Sequence, residues 1–145
     1  MRHPGAIKKT IRLAALLLLW IPAARLAGET LVVNPGVEYS DIARGTARSF
    51  FYMRLREWPD GTPVRVFVLP DNHSLHVAFA KEVLNVFPYR LRRAWDRAVF
   101  AGLGQAPQQV DNVEQMRARV AETPGAIGYL PEDKIDETVR PLDIE

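Results

Sequence analysis

Hydrophobic and polar positions alternate along the chain in patterns that predict strands separated by helices. Runs of apolar, mostly branched residues indicate strands at 31–33, 63–69 and 126–130. Apolar residues spaced three or four apart indicate helices that begin near 42, 75, 88 and 112. Pro141 restricts a last short run, over 139–142, to a sheet edge, because proline has no N–H to donate. Strands that alternate with helices favour a layered α/β domain.

Residues that favour helix ends support these boundaries. Ser40 or Asp41 is expected to cap the first helix, and Asp111, followed three residues later by Glu114, to cap the last one. The helix that begins near 75 follows a loop over 70–74. Its apolar stripe is expected to face the core and consists of Val77, Ala78, Ala80, Val83, Leu84 and Phe87.

The first 28 residues have a different pattern from the rest of the chain. A basic start is followed by an unbroken apolar run over 13–21 and then by small residues. This order is typical of a secretory signal peptide. An uncleaved membrane anchor is the alternative, but the run is less than half of the roughly 20 apolar residues that span a bilayer. We therefore expect a signal peptide at 1–28 and an exported domain at 29–145, located in a bacterial periplasm.

Removing the predicted signal peptide reverses the sign of the charge. The whole sequence has 19 basic and 17 acidic residues, but residues 1–28 hold five of the basic ones and none of the acidic ones. The remaining 14 basic and 17 acidic residues give a net charge of −3, which argues against nucleic acid as a partner. The chain has no cysteine, so disulfides, thiol nucleophiles and thiolate metal sites are excluded.

Three segments carry motifs whose order is informative. Residues 58–64 read Trp-Pro-Asp-Gly-Thr-Pro-Val, Asp71 stands at the head of a predicted helix, and residues 123–129 read Thr-Pro-Gly-Ala-Ile-Gly-Tyr. In this order they resemble the phosphate-type periplasmic substrate-binding proteins of ABC transporters. The last motif is the most specific, since Pro124 ends a helix and Gly125 lets the chain reverse into a strand.

The resemblance implies a periplasmic-binding-protein-like (type 2) three-layer α/β domain, with a small oxyanion such as phosphate as its ligand. Members of that family have two lobes with the ligand between them, whereas a chain of this length supplies about one lobe, a truncated version of the fold. The family's anion loop reads Arg-x-Asp-Gly-Ser-Gly-Thr. Here Asp71 matches, while Leu69 and Leu75 replace the arginine and the threonine, so tight phosphate binding in the family's manner is not expected.

The loop formed by Asp71, Asn72, His73 and Ser74 is the predicted ligand-binding site. A helix N-terminus presents unpaired N–H groups and a partial positive charge, which favour anions. The three residues after Asp71 add side-chain donors, whereas the Asp71 carboxylate opposes a dianion unless the ligand still carries a proton. The alternative is that Asp71, Asn72 or Ser74 caps the helix, because capping uses the same residue types.

Other candidate chemistry is weaker. His73 and His76 are three residues apart, but two histidines do not complete a metal site, so no metal is expected. Four arginines surround Trp95 on one predicted helix, and we interpret them as its solvated face: Arg90, Arg92, Arg93 and Arg97. The motifs of well-understood enzymes and of cofactor sites are absent from the sequence, so neither catalysis nor a cofactor is expected.

Two functions from different classes fit these observations. The first is a solute-binding-protein-like domain that binds phosphate or a related small oxyanion for an ABC-type transport or sensing system. The second is a protein-interaction module that has lost its ligand and docks on an envelope protein or on a second copy of itself. The missing arginine and threonine of the anion loop motivate the second.

Overall fold

A computed structural model describes residues 28–145, so the predicted signal peptide lies outside the described residues except for Gly28. The described part contains six strands: β1 (Glu29–Val33), β2 (Asp41–Ile42), β3 (Arg65–Val68), β4 (Gln108–Gln109), β5 (Ala126–Pro131) and β6 (Arg140–Ile144). It also contains four α-helices: α1 (Arg44–Phe51), α2 (Ser74–Ala78), α3 (Pro88–Phe100) and α4 (Val113–Glu122). Helix α2 continues as a π-helical segment, Phe79–Val83. Among residues 28–145, every helix is too short or too polar to cross a membrane.

The strands form one mixed sheet in the order β2-β6-β1-β5-β3-β4. Strand β1 is antiparallel to both of its neighbours, with Leu31 opposite Tyr129 of β5 and Leu142 of β6. Strand β3 is parallel to both β5 and β4. Leu31, Tyr129 and Leu142 are all buried, which places the core around β1 and β5.

Helices cover both faces of this sheet. On one face, a Cβ built on Gly128 of β5 would lie 2.6 Å from the Sδ atom of Met116, so the missing side chain lets α4 approach closely. The next residue, Tyr129, points to the opposite face. There its ring stacks on Phe79, with 4.0 Å between ring centroids, and lies 6.1 Å from the ring of Phe51. The predicted three-layer α/β architecture is confirmed.

The predicted caps of the first and last helices are wrong. Asp41 and Ile42 pair with β6 as a parallel strand, so α1 begins only at Arg44, after Ala43, which makes no side-chain cap. Backbone pairing therefore overrides the local capping preference of Asp41.

At the last helix the cap is shifted by one residue. The side chain of Asn112 accepts the N–H of Gln115 at 2.9 Å, and Oε1 of Gln115 accepts the N–H of Asp111 at 2.9 Å. Asn112 thus takes the capping role expected of Asp111, and Gln115 replaces Glu114, but the Gln115 side chain bonds to the N–H of the residue before the cap and not to that of the cap itself.

The predicted core stripe of the second helix is only partly correct. Ala80 and Leu84 are buried, but Phe87 is 54% exposed, and His76 and Phe79 take buried positions instead. Phe87 lies outside this helix, because the π-helical segment ends at Val83 and the chain turns at Asn85, which has a φ of 56°. Phe87 then has an extended backbone and directly precedes helix α3.

The last strand is not at the sheet edge. Strand β6 lies between β1 and β2, but it pairs with β2 only at Asp143 and Ile144. Both pairs lie after Pro141 in the sequence. The pairing of β2 with β6 therefore needs no hydrogen bond from position 141, where proline has no N–H to donate.

Candidate functional site

The predicted site lies at the carboxyl end of β3. The chain leaves this strand at Val68, passes through residues 69–73 and enters α2 at Ser74. Strand β3 is flanked on both sides by parallel strands. In α/β domains the crevice beside the carboxyl ends of parallel strands is the usual place for a ligand. Asp71, Asn72, His73 and Ser74 therefore lie at the edge of the sheet where a ligand is expected.

Asp71 forms a two-pronged ion pair with Arg92 of α3. The guanidinium Nε lies 2.7 Å from Oδ2 and Nη2 lies 2.9 Å from Oδ1. The hydrogen bonds from Arg92 lower the pKa of the Asp71 carboxyl below its usual value, although partial burial opposes the shift. Both carboxylate oxygens are thus engaged. The same guanidinium also lies 3.7 Å from Oδ1 of Asp96, so Arg92 offsets the negative charge of Asp71 only in part.

Helix α2 is capped by His73. The capping role predicted for Asp71, Asn72 or Ser74 is therefore wrong. The Nδ1 of His73 accepts the N–H of Leu75 at 3.1 Å. A neutral imidazole that accepts at Nδ1 carries its proton on Nε2, so His73 presents an N–H at the half-buried surface of the loop. Asn72 and Ser74 are exposed, and their side chains make no hydrogen bond to any residue between 28 and 145.

A buried hydrogen-bond chain lies directly behind the loop. The N–H of Leu69 donates to the Tyr129 hydroxyl at 2.8 Å, and that hydroxyl lies 2.5 Å from Nδ1 of His76. Because the hydroxyl oxygen accepts from Leu69, its proton is available for Nδ1. Neutral His76 then carries its own proton on Nε2. These hydrogen bonds join the start of the loop, at Leu69, to Tyr129 of strand β5 and His76 of helix α2.

The Nε2 atom of His76 is buried and has no hydrogen-bond partner in the described part of the chain. An unsatisfied buried donor costs about 1–3 kcal/mol, so such atoms are rare in folded proteins. Burial is the largest influence on this residue and lowers its pKa, while the nearby Asp71 carboxylate opposes the shift. His76 is therefore held in its neutral form behind the loop.

We expect the domain to become less stable as the pH falls below about 6.5, the ordinary pKa of histidine. The unfolded chain takes up a proton on His76 before the folded protein does, because the folded pKa is lowered. Stability therefore declines with falling pH, by at most about 1.4 kcal/mol per pH unit. Urea denaturation over a pH series measures this slope.

The His76→Gln variant serves as the control for this pH dependence and should show a flatter profile. The Asp71 carboxylate does not interfere, since its lowered pKa means that its contribution is lost only at pH values below about 3.8. A slope of equal size in the variant would show that another group is responsible.

Three residues of this region were not predicted as site residues: Arg92, His76 in its buried role, and Tyr129. The sequence pattern places Arg92 on a solvated helix face, and Arg92 lies 21 positions from Asp71. Local pattern carries no signal for such a pairing. As for metals, no group of three or more histidine, aspartate or glutamate ligands occurs within residues 28–145.

The two other motifs meet in the structure, away from the loop. The indole N–H of Trp58 donates to the carbonyl of Gly125 at 3.0 Å, and the N–H of Arg65 donates to the same oxygen at 3.1 Å. Trp58 is buried, and Gly125 has a φ of 75°. These motifs hold the turn that feeds β3 against the turn that feeds β5, so they serve the scaffold.

Comparison with known proteins shows which fold this is. No family model and no curated protein matches the chain. Solved structures do match: a Clostridium perfringens protein assigned as a phosphate ABC transporter substrate-binding protein, with bound phosphate (TM-score 0.64, 16% identity), a phosphate transport receptor from Vibrio cholerae (0.61, 13%) and PstS from Borrelia burgdorferi (0.62, 12%). The matches cover 81% of this chain but only 44%, 46% and 47% of theirs. The described domain thus has the mixed α/β fold of phosphate-type periplasmic binding proteins and spans less than half the length of the proteins it matches.

Proposed function

We propose that this chain is an exported solute-binding module that binds phosphate or a related small oxyanion for an ABC-type transport or sensing system in the periplasm. The observation that carries the proposal is the position of residues 71–74 at the carboxyl end of β3, in a fold shared with phosphate-binding proteins. The signal-peptide pattern at 1–28 supports export.

The loop offers an anion three side-chain donors. They are the Asn72 amide, the Nε2–H of His73 and the Ser74 hydroxyl. The Arg92 guanidinium offsets part of the Asp71 charge, so the loop repels an anion less than Asp71 alone would. The residue at the position of the family's arginine is Leu69, which is fully buried. Affinity should therefore be weak, since neutral hydrogen bonds contribute only about 0.5–1.5 kcal/mol each.

Calorimetry with phosphate, sulfate and related oxyanions on residues 29–145 tests this function. We expect weak, saturable binding that falls by about tenfold or more in the Asn72→Ala/Ser74→Ala double variant, since two hydrogen bonds are lost. Ser40→Ala is the matched control, because Ser40 is also exposed and its hydroxyl bonds only to the side chain of its neighbour Asp41. No binding of any oxyanion by a folded protein would remove the proposal.

A second candidate function, a protein-interaction module that docks on an envelope protein or on a second copy, is favoured by one observation. Apolar side chains are exposed at the end of α3, where Val99 is 51%, Phe100 90% and Leu103 74% accessible. Contiguous exposed apolar residues are typical of interaction surfaces. Sedimentation velocity over a concentration series tests self-association, and a strict monomer that also captures no envelope protein would count against this function.

A further inference from the structure

A basic groove lies between the end of α1 and the outer face of α3. It has a volume of about 290 Å³, and it is lined by Tyr52, Arg54, Tyr89, Arg90, Arg93, Ala94 and Arg97. None of these residues belongs to the loop at the end of β3. The sequence indicates three of these arginines as a solvated helix face, but it does not show that Arg54 joins them from another element.

The groove concentrates positive charge that the described residues leave unbalanced. Four guanidinium groups line it and no carboxylate does. Other arginines of the domain form ion pairs, including Arg92 with Asp71 and Arg117 with Asp136. None of the four groove arginines forms an ion pair with any residue from 28 to 145. This clustering stands out because the predicted mature chain carries a net charge of −3.

Packing holds the two walls of the groove in place. The buried indole of Trp95 on α3 donates its N–H to the carbonyl of Phe51, the last residue of α1, at 2.7 Å. Immediately after α1 the chain reverses at Met53, which has a φ of 60°. After this reversal, Tyr52 and Arg54 line the groove opposite the arginines of α3.

Aromatic rings restrict two of the guanidinium groups. The Arg54 guanidinium lies 4.7 Å from the centre of the Tyr52 ring, and that of Arg93 lies 5.9 Å from the centre of the Tyr89 ring. A guanidinium held against a ring loses less conformational freedom when it binds an anion, and its N–H groups remain free to donate.

We propose that this groove binds a compact anion with two or more phosphate groups, such as pyrophosphate or tripolyphosphate. The planar guanidinium group matches the oxygens of a phosphate with paired hydrogen bonds. Arg90, Arg93 and Arg97 lie on one face of α3, and the first and last are about 10 Å apart along the helix axis. Each added phosphate lengthens the anion towards that distance, so tripolyphosphate should contact more of these guanidinium groups at once than a single phosphate does. The proposal does not rest on oxyanion binding at the loop.

Calorimetry with tripolyphosphate on residues 29–145 tests the groove. We expect saturable binding that weakens as salt is added and falls at least about tenfold in Arg93→Gln/Arg97→Gln, since hydrogen bonds to charged groups are lost. Arg119→Gln is the matched control and should bind like the unmodified protein, because Arg119 is an exposed helical arginine that also lies over an aromatic ring, Phe67.

The Asn72→Ala/Ser74→Ala variant separates this site from the loop, and its tripolyphosphate affinity should be unchanged. Equal affinity in Arg93→Gln/Arg97→Gln and the unmodified protein would overturn the proposal, as would absence of tripolyphosphate binding by a folded protein. Vesicles that contain anionic phospholipid form the second arm of the experiment. Binding to vesicles without binding to tripolyphosphate would assign the groove to a lipid surface and would also overturn the proposal.

Discussion

Replacing Gly125 with alanine should lower the free energy of unfolding by about 2–5 kcal/mol, through left-handed backbone strain and a steric clash. Gly125 has a φ of 75°, a conformation that costs other residues about 1–2 kcal/mol. In addition, a Cβ at this position would lie 2.2 Å from the carbonyl oxygen of Pro63, which is backbone and cannot rotate away. To relieve that contact, the turn at Gly125 would have to move. Such a movement would disturb the hydrogen bonds that the Trp58 indole and the Arg65 N–H donate to the Gly125 carbonyl.

The matched control for Gly125→Ala is Gly102→Ala, measured by urea denaturation of both variants. Gly102 has a φ of 66°, but a Cβ there would meet no atom within 4 Å. The control should therefore lose only the conformational part, about 1–2 kcal/mol. Equal losses in the two variants would show that the contact between Gly125 and Pro63 does not constrain the fold.

The second large effect is expected from Tyr129→Phe, at about 2–4 kcal/mol of lost stability. The substitution keeps the ring that stacks on Phe79 and removes only the hydroxyl. The N–H of Leu69 and the Nδ1 of His76 then lose their partner in a buried environment. Buried groups without partners retain the full cost of removal from water, which is why so small a change should have so large an effect.

Two measurements check the assignment to the hydroxyl. Tyr39→Phe should change stability by less than about 0.5 kcal/mol, since Tyr39 stacks on Trp58 but its hydroxyl bonds to no residue between 28 and 145. In a His76→Leu background, Tyr129→Phe should cost less, because one of the two orphaned groups is gone. A Tyr129→Phe protein as stable as the unmodified one would contradict the stabilising role given to the hydrogen bonds that link Leu69, the Tyr129 hydroxyl and His76.

Much of the fold could be predicted because its main elements have strong local patterns. Residues 31–33 of β1 and the whole of β5 are apolar runs, and α3 begins at Pro88 and ends before Gly102, whose φ is 66°. The resemblance to phosphate-type binding proteins, drawn from residues 58–64, Asp71 and 123–129, was confirmed by the structural matches. In each case adjacent residues determine the structure.

The errors arose where distant residues decide the local structure. Asp41 is a good helix cap by type, but pairing with β6 draws it into a strand. The second helix ends at Val83 and the chain turns at Asn85, whose φ is 56°, so Phe87 is exposed although the α-helical stripe predicts it in the core. Two-residue strands such as β4 are too short to produce a period of their own.

The site residues divide in the same way. The sequence places Asp71, Asn72, His73 and Ser74 in one loop, which the structure locates at the end of β3. The partners that determine what this loop can do are distant in sequence, since Arg92 lies 21 positions from Asp71 and Tyr129 lies 53 positions from His76. Such pairs become visible only when the helices and the sheet are packed together.

The loop and the hydrogen bonds behind it, which join Leu69, Tyr129 and His76, are arranged in layers. The exposed Asn72 and Ser74 side chains face solvent, Arg92 pairs with Asp71 beside them, and His76 lies buried behind with an unpaired Nε2. A loop with free donors and a partly offset carboxylate is consistent with the proposal that an oxyanion binds there weakly. Because α3 supplies both Arg92 and the arginines of the basic groove, a ligand in either place would contact the same helix.

The central claim, that the loop after β3 is where a small oxyanion binds, is tested most directly by a phosphate titration followed by ¹H–¹⁵N NMR on residues 29–145. The account predicts saturable shifts of the backbone amides from Asp71 to Leu75 and of the Asn72 side-chain amide, with smaller shifts at Arg92 and His76. Spectra in which these signals stay unchanged to saturating phosphate, or in which shifts are confined to another surface, would contradict it.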